Sequence, residues 1–358
     1  MGVTAKDVAE LRKLTGVGMM ECKSALTETD GDIEKAIVVL REKGLATQAK
    51  KAGRVSAEGI VKAIVKGEKG AVVEINSETD FVAKNEDFIA FANDVANTVL
   101  ETNPSDLEAL KATKISGGTV TVAEALQELF LRIRENLQLR RFAKLDGKVV
   151  SYVHAGGKIG VIVKLDTTIA SDNEGLITVG KDIAMQIAAL NPTYLAKEEI
   201  APETLAQETV IARQKYAQEV AEKKEENERL EGEIRISEKE IEKNKEDPKR
   251  VTEEEDLIKK FKKEISKNLG FINKPAQVIE NNIIPGKVNN FVKEVTLLEQ
   301  TFVKAEQGES VAKYLETSGK KLGGEIKIAE YIRYELGEGI EKRKDDFAAE
   351  VASLAKGE

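Results

Sequence analysis

Three short stretches of helical periodicity occupy the first 52 residues of the chain. Thr4 is placed to cap the first helix, which ends near Gly16, and a turn at residues 29–32 separates the second helix from the third. Short helices bury little surface, so the pattern predicts a small helical module that packs against something else, with a basic tether at residues 50–54. The predicted apolar positions are Val8, Leu11, Leu14, Met19, Cys22, Ala25, Leu26, Ile33, Ala36, Ile37 and Leu40.

An apolar hairpin pattern then occurs twice. Residues 59–75 and 147–165 each contain two mostly apolar arms around a Gly-containing turn, which is typical of a β-hairpin. An acidic turn and an amphipathic helix follow each hairpin. Both helices are predicted to end at an Asn-Pro pair, because proline disfavours helix in the residue before it. The repetition predicts two α+β subdomains built on one plan.

Further helices are predicted between and after the repeats. Residues 122–141 have an apolar face at helical spacing, and residues 216–244 have a thin seam at 4-3 spacing, typical of a coiled coil. Pro248 interrupts the seam, and Thr252 with Glu255 predicts a capping box for a second helix, so we expect an antiparallel coiled-coil arm. The apolar positions are Leu126, Leu129, Phe130, Ile133 and Leu137 in the first helix, and Leu257, Phe261, Ile265 and Leu269 in the last.

Alternation returns near the end of the chain, where residues 325–335 are predicted as a strand and residues 339–356 as a final helix. Together these patterns predict an α+β protein in five segments. The segments are a helical domain at 1–54, a first core subdomain at 55–141, a second core subdomain at 142–204 and 286–338, a coiled-coil insertion at 205–285, and a C-terminal helical module at 339–358.

The turn after the first predicted hairpin is the strongest candidate for function. Residues 70–75 predict a buried strand, a helical pattern begins near Asp87, and Asp80 and Phe81 stand side by side between them. Because loops rarely expose a large aromatic side chain to water, Phe81 either enters a partner's pocket or folds back onto its own core. The second repeat lacks the Asp-Phe pair, which favours a function for this tip.

Composition narrows the class of protein. The 358 residues suffice for two or three domains, and 41% hydrophobic with 33% charged residues indicates an ordered, soluble chain. A net charge of −8 argues against nucleic-acid phosphates as the main partner. One cysteine excludes an intramolecular disulfide, no apolar stretch approaches the roughly 20 residues of a membrane span, and the N-terminus lacks a signal-peptide core. We therefore expect a cytoplasmic protein that binds neither nucleic acid directly nor membranes.

Candidate catalytic chemistry is sparse. The Gly-rich stretches at 16–18 and 156–160 lack the spacing and the Lys-Ser/Thr pair of a phosphate-binding loop. One His and one Cys cannot form a zinc site, and Cys22 lies on an apolar helix face, where a core thiol is far commoner than a nucleophile. His154 suits either an interaction residue or a surface ring. We expect a protein that is not an enzyme, has no metal or cofactor, and works by contact.

Three long motifs match a known pattern. They cover residues 11–26 with 31–36, residues 74–84, and residues 333–342 with 346–350. In this order they resemble the bacterial elongation factor Ts family over nearly the whole chain. The resemblance implies a guanine-nucleotide exchange factor for the translational GTPase elongation factor Tu. It also implies a ubiquitin-associated-like N-terminal domain, two related core subdomains, an inserted coiled coil and a C-terminal module.

The resemblance implies roles for particular residues as well. In that family an Asp-Phe tip enters the GTPase beside its magnesium site. By this resemblance Asp80 and Phe81 form the wedge, and Thr79, Val82 and Ala83 complete the loop. Other positions match family contacts with the GTPase, and they are Arg12, Met19, Met20, Lys23, Ile133, Arg134, His154 and Val303.

Two positions depart from the family pattern, and two other functions stay open. Residues 133–136 are Ile-Arg-Glu-Asn where better-known members have Ile-Gly-Glu-Asn, so Arg134 places a long cation at a spot close to the partner. Lys304 stands where many relatives carry Met. The alternative functions are a scaffold that recruits partners through the helical module and the arm, and, more distantly, a carboxylate-based hydrolase.

Overall fold

A computed structural model describes residues 3–305 and 308–341 of the chain. Helices and antiparallel sheets are both present, so the fold is α+β as predicted. The predicted limits of the five segments stay a prediction, and most of the predicted C-terminal helix lies outside the described residues. The chain forms two compact units, which are Met1–Asn191 with Phe302–Lys304 and Ala312–Glu358, and Pro192–Thr301 with Ala305–Val311.

Three helices begin the first unit, as the periodicity predicts: α1 (Ala5–Thr15), α2 (Met19–Glu28) and α3 (Ile33–Lys51). A capping box starts α1, because Thr4 Oγ1 accepts from the Asp7 N–H at 3.3 Å and the Asp7 carboxylate accepts from the Thr4 N–H at 2.9 Å. Leu131, from a later helix, completes the buried core of the module. Lys50 and Lys51 belong to the last turn of α3, so the predicted tether starts later than expected.

The first antiparallel sheet has the order β1-β2-β3, with β1 (Glu58–Lys66), β2 (Lys69–Ser77) and β3 (Gln138–Asp146). Three helices, α4 (Glu86–Thr102), α5 (Leu107–Ala112) and α6 (Val122–Ile133), lie between β2 and β3. Alternate residues of the strands point to one face, which packs against α4. That core includes Ile60, Ala71, Val73 and Ile75 from the strands and Phe88, Phe91, Val95 and Val99 from α4.

The single helix predicted for residues 122–141 is wrong. It ends at Ile133, because Arg134 adopts the left-handed conformation at φ 66° and its N–H bonds to the Phe130 carbonyl. The chain then enters β3, which pairs with β2. Leu137 still reaches the predicted core, but it does so just before a strand.

The second antiparallel sheet has the order β4-β5-β6, with β4 (Lys148–His154), β5 (Ile159–Thr167) and β6 (Ile326–Glu335). Helix α7 (Glu174–Leu190) packs on one face of it, since Gly180 of α7 meets Val150 of β4. The other face meets the first sheet, and Gly160 permits this approach because a Cβ there would lie 2.5 Å from Val61 Cγ1. The residues buried between the sheets include Val61, Ala63, Val72, Leu145, Val149 and Ile162.

Both hairpins are therefore followed by a helix, and both helices end as predicted. Asn103 after α4 has φ 52°, and Asn191 after α7 has φ 44°. Each Asn N–H bonds back to a carbonyl of the last helical turn, and proline follows. Asn tolerates the left-handed conformation better than most residues, which explains the Asn-Pro ends.

Two long antiparallel helices, α8 (Pro202–Lys243) and α9 (Pro248–Ile272), pack together in the second unit. A short turn α10 (Ala276–Val278), a π-type turn at Ile279–Ile283 and helix α11 (Ile284–Val295) follow. Every predicted seam position of α8 between residues 216 and 244 is buried or half-buried, which confirms that part of the pattern. Helix α12 (Val311–Leu322) then precedes β6.

The prediction for the second long helix is partly wrong. Asp247 caps α9 by accepting from the Lys249 N–H at 3.1 Å, so the helix starts earlier than the predicted Thr252 capping box. Leu257 and Leu269 are exposed rather than packed. Asn268 occupies the seam instead, fully buried against α8.

Candidate partner-binding site

Phe81 projects from the loop between β2 and α4. Its side chain is 79% exposed, whereas the next residue, Val82, is 7% exposed and belongs to the core under α4. The interpretation in which Phe81 folds back onto its own core is therefore wrong. Val82 anchors a short 3-10 turn (Val82–Lys84), with Ala83 half-buried beside it, and this anchor turns the aromatic ring outward.

The base of this loop is held by the segment that follows α6. The Thr79 N–H and hydroxyl both donate to the Glu135 carboxylate, at 2.9 and 2.6 Å. Glu78 accepts from the Asn136 N–H at 2.7 Å, and Asn136 in turn donates to the Arg54 carbonyl at 2.8 Å. These bonds fix the backbone on one side of Phe81, so little conformational entropy is left to lose when the ring meets a partner.

Asp80 is the exposed acid of the loop. Its nearest cation is Lys84, at 3.6 Å, and both side chains are mostly in water. An exposed pair of this kind is worth at most about 1 kcal/mol. The Asp80 carboxylate is therefore available to a stronger cation on a partner.

The N-terminal helices present a second exposed surface. Met19 and Met20 are 52% and 75% exposed, and Arg12 and Lys23 are exposed as well. Met19 and Leu14 were both predicted as apolar positions of the module, and both are instead exposed, Leu14 at 63%. Leu14 stands next to the Thr15-Gly16 turn, which was the available signal that it leaves the core.

Arg134 and Glu135 connect these two surfaces. Arg134 Nη2 pairs with Glu21 of α2 at 3.0 Å, and its carbonyl accepts from Lys51 of α3. Glu135, the next residue, holds Thr79 in the Phe81 loop. Arg134 thus faces its own N-terminal module, and Ile133 packs partly into the core beneath α4.

His154 and Val303 lie on other parts of the first unit. His154 ends β4 in an exposed position, and its Nδ1 lies 2.9 Å from the Tyr152 hydroxyl. The Gly157 carbonyl in the following turn accepts from the Val61 N–H at 2.7 Å, so the turn lies near the end of the sheets that carries the Phe81 loop. Val303 is exposed, and its N–H donates to Gln186 at 2.8 Å.

Within residues 3–305 and 308–341, no group of three His, Cys, Asp or Glu side chains could hold a metal ion. Burial raises the pKa of the Cys22 thiol, which therefore stays protonated at neutral pH. Of the helices in the described ranges, none has the length and apolar character to cross a bilayer.

Comparison with known proteins gives one consistent result. The family model for Elongation factor TS matches residues 78–338. The Elongation factor Ts of Syntrophotalea carbinolica is 41% identical over 99% of this chain and 100% of its own length. That of Clostridium perfringens is 42% identical over 98% of this chain and 99% of its own. That of Xanthobacter autotrophicus is 42% identical over 99% of this chain and 98% of its own length.

Proposed function

The chain belongs to the elongation factor Ts family and is therefore a translation elongation factor, and from this premise we propose that it binds elongation factor Tu·GDP and promotes exchange of GDP for GTP. One observation carries the proposal. Phe81 is exposed to solvent, while the residue after it, Val82, is buried and the base of the loop is hydrogen-bonded to Glu135. A rigid loop that presents an aromatic ring is suited to insertion into an apolar slot of a partner.

The loop acts on the partner's nucleotide through two neighbouring side chains. Phe81 enters a slot between GTPase helices, and burial of a Phe side chain contributes about 1.5–3 kcal/mol. Asp80 brings its carboxylate toward the magnesium ion of the partner. Displacement of that ion removes the largest local positive charge that holds the diphosphate, so GDP leaves more readily.

Thermodynamic linkage sets how much binding free energy the contacts with the partner must supply. A factor that weakens nucleotide binding is itself released by nucleotide to the same degree. A change of about 10⁴ in affinity requires about 5.5 kcal/mol of differential binding. Phe81 alone falls short of this, so the loop, in which Thr79 and Ala83 flank the ring and buried Val82 anchors it, acts together with more distant contacts. Those contacts are Arg12, Met19, Met20, Lys23, His154 and Val303. Ile133 and Arg134 contribute indirectly, since Ile133 packs against the core under α4 and Arg134 pairs with Glu21 of the N-terminal helices.

Release of fluorescent GDP from elongation factor Tu tests this function. We expect Phe81→Ala to slow the catalysed release by about tenfold or more, as loss of about 1.4 kcal/mol from the transition state requires. Binding to nucleotide-free partner should weaken less. Ile236→Ala, at an exposed apolar residue of α8, is the control and should leave both unchanged. Equal losses of rate and affinity for Phe81→Ala would contradict a wedge, and no acceleration by the wild-type chain would indicate a scaffold.

Several finer assignments belong to the same proposal. The family membership supports a ubiquitin-associated-like identity for α1–α3, a coiled coil for α8 and α9, and two related subdomains for the sheets. It also supports a cytoplasmic protein that makes and breaks no covalent bond, uses no cofactor, and has the GTPase rather than nucleic acid or membrane as its partner.

A further inference from the structure

A charged side chain lies fully buried between the two sheets. Glu74 of β2 is 0% exposed. Its carboxylate accepts hydrogen bonds from Arg140 Nη1 at 2.8 Å, Arg141 Nε at 2.5 Å and the Gly337 N–H at 2.8 Å. Glu74 is therefore joined both to β3 of its own sheet and to the chain that leaves β6 of the other sheet.

The two arginines extend the same connection. Arg141 Nη2 donates to the Glu335 carbonyl at 3.1 Å and pairs with Glu338 at 3.0 Å, and its guanidinium lies 4.1 Å from the Tyr334 ring centre. Arg140 donates to the Glu338 carbonyl. We call this set the Glu74 clamp, and it consists of Glu74, Arg140, Arg141, Tyr334, Gly337 and Glu338.

The clamp includes residues of the third sequence motif, for which the exchange function gives no role. Tyr334, Gly337 and Glu338 all belong to residues 333–342. In the structure these residues contact their own chain around a buried carboxylate. Burying such a charge is costly, and an apolar residue of similar volume often does as well for stability. In some proteins a buried ionic network fixes one relative arrangement of the elements that it joins, and the contacts of the Glu74 clamp suit that role.

The clamp lies at a particular end of the two sheets. Glu74 is three residues before Ser77, where β2 passes into the Phe81 loop, and a β-bulge falls between Glu74 and Ile75. On the second sheet, Glu335 of β6 pairs with Ile159 of β5, and the Leu336 N–H bonds to the Lys158 carbonyl at 2.8 Å. Lys158 closes the turn after His154, since its N–H bonds to the His154 carbonyl at 3.1 Å. The clamp therefore joins the base of the Phe81 loop to the base of the His154 turn.

We propose that Glu74 is a positioning residue, which holds the Phe81 loop and the His154 turn at one fixed separation so that both meet the partner together. The consequence for exchange rests on the proposed function, whereas the fixed separation is a property of this chain alone. Two contacts on one rigid body act as a linked pair, in which the first makes the second form at high effective concentration. Removing the clamp takes away one of the connections that fix this separation and therefore reduces that advantage.

The first test measures the separation in the full chain without a partner. Spin labels at Lys84→Cys and Lys158→Cys, both exposed positions, report the distance by double electron–electron resonance. Cys22 is buried and stays unlabelled, which the wild-type chain checks. We expect a narrow distance distribution that Glu74→Gln broadens and that Glu68→Gln, at an exposed Glu of the β1-β2 turn, leaves narrow.

A second variant covers the case in which Glu74→Gln fails to fold. Glu338→Gln alters only the half-exposed outer part of the clamp, and a smaller broadening is expected. Distributions that stay as narrow as the wild type in every folded variant would overturn the proposal.

The second test asks whether the clamp acts through the contacts. Affinity for nucleotide-free elongation factor Tu is measured for Glu74→Gln in the wild-type and Phe81→Ala backgrounds, at a temperature where circular dichroism shows all variants folded. Because the clamp matters only when both contacts form, the loss caused by Glu74→Gln should be about threefold or more smaller in the Phe81→Ala background. An equal loss in both backgrounds would mean a merely structural role and would overturn the proposal. Broadened distances with a wild-type chain inactive in exchange would refute the exchange function and leave the fixed separation supported.

Discussion

Arg134 combines backbone strain with a fixed contact. A residue other than Gly at φ 66° costs about 1–2 kcal/mol. Its guanidinium nevertheless bonds to Glu21 of α2 and to the Leu131 carbonyl, each at 3.0 Å. Such a partly exposed ion pair contributes at most about 1 kcal/mol. The gain and the cost nearly cancel, so what Arg134 adds is the attachment of the N-terminal helices to the segment that also holds the Phe81 loop.

Arg134→Gly tests this balance. Unfolding free energy, measured by urea denaturation, should change by less than about 1 kcal/mol, because lost contacts are offset by relief of strain. Binding to nucleotide-free elongation factor Tu should weaken severalfold, since one of the contacts that attach the Met19 and Met20 surface to the loop is lost. Glu21→Gln is the matched control, because it removes the pair and keeps the backbone, and it should weaken binding similarly. Unchanged affinity in both variants would contradict this role.

The role of Phe81 could be predicted from the sequence in part, whereas that of Glu74 could not. Phe81 was predictable as a candidate, because an aromatic between a strand pattern and a helix pattern is locally unusual. Its exposure still required the structure, which places Val82 rather than Phe81 in the core. Glu74 was not predictable, because its partners lie 66, 67 and 263 residues away along the chain. A lone acid within an apolar strand gives no local sign of such partners.

At the scale of secondary-structure elements, the helix pair α8 and α9 contains a buried polar cluster. Asn268 Nδ2 donates to Asn227 Oδ1 and to Glu226, both at 3.0 Å, and Asn268 Oδ1 accepts from Lys223 at 3.0 Å. Apolar side chains on either side would tolerate a shifted pairing of the two helices. Asn227 and Asn268 do not tolerate such a shift, because each would lose its hydrogen-bond partner. The cluster therefore specifies the register of the two helices.

Substitutions in this cluster should be strongly non-additive. Asn268→Leu alone leaves buried Asn227 without its donor, which should lower the unfolding free energy of the pair by about 1–3 kcal/mol. Asn227→Leu with Asn268→Leu removes both polar groups and should recover most of that loss, while Lys223 can extend to solvent. Thermal unfolding followed by circular dichroism measures the difference. A double variant less stable than the single one would show that the cluster serves stability and not register.

Elements whose limits are marked by neighbouring residues in the sequence could be predicted. Elements whose limits depend on the backbone conformation of one residue could not. The two hairpins and their Asn-Pro helix ends follow from alternation and turn residues, which lie close together in sequence. β3 was missed because Arg134 is an unusual residue for the left-handed conformation, so the spacing from Ile133 to Leu137 suggested a continuous helix. The start of α9 was missed because Asp247 and Thr252 are both acceptable N-caps.

At the scale of the whole first unit, short connections join elements that are distant in sequence. Glu135 holds the Phe81 loop, Arg134 holds α2, and Glu74 holds the end of β6. The candidate contact surfaces therefore belong to one connected body. An exchange factor needs several contacts to act at once, and this connectivity supplies their common frame.

Acid pH should lower the unfolding free energy of the chain through protonation of Glu74. Burial alone would raise the pKa of Glu74, but the Gly337 N–H, Arg140 and Arg141 outweigh it and hold the pKa below the ordinary value of 4.5. A carboxyl with a lowered pKa stabilises the fold above its unfolded pKa, and this contribution is lost as pH falls through the folded pKa. In urea denaturation of the full chain, wild-type stability should therefore fall more steeply below pH 4.5 than that of Glu74→Gln. Glu68→Gln, at an exposed position outside the clamp, is the control and should keep the wild-type slope. Parallel curves for wild type and Glu74→Gln would show that the carboxylate is not stabilised in the folded chain, and the clamp would then lose its physical basis.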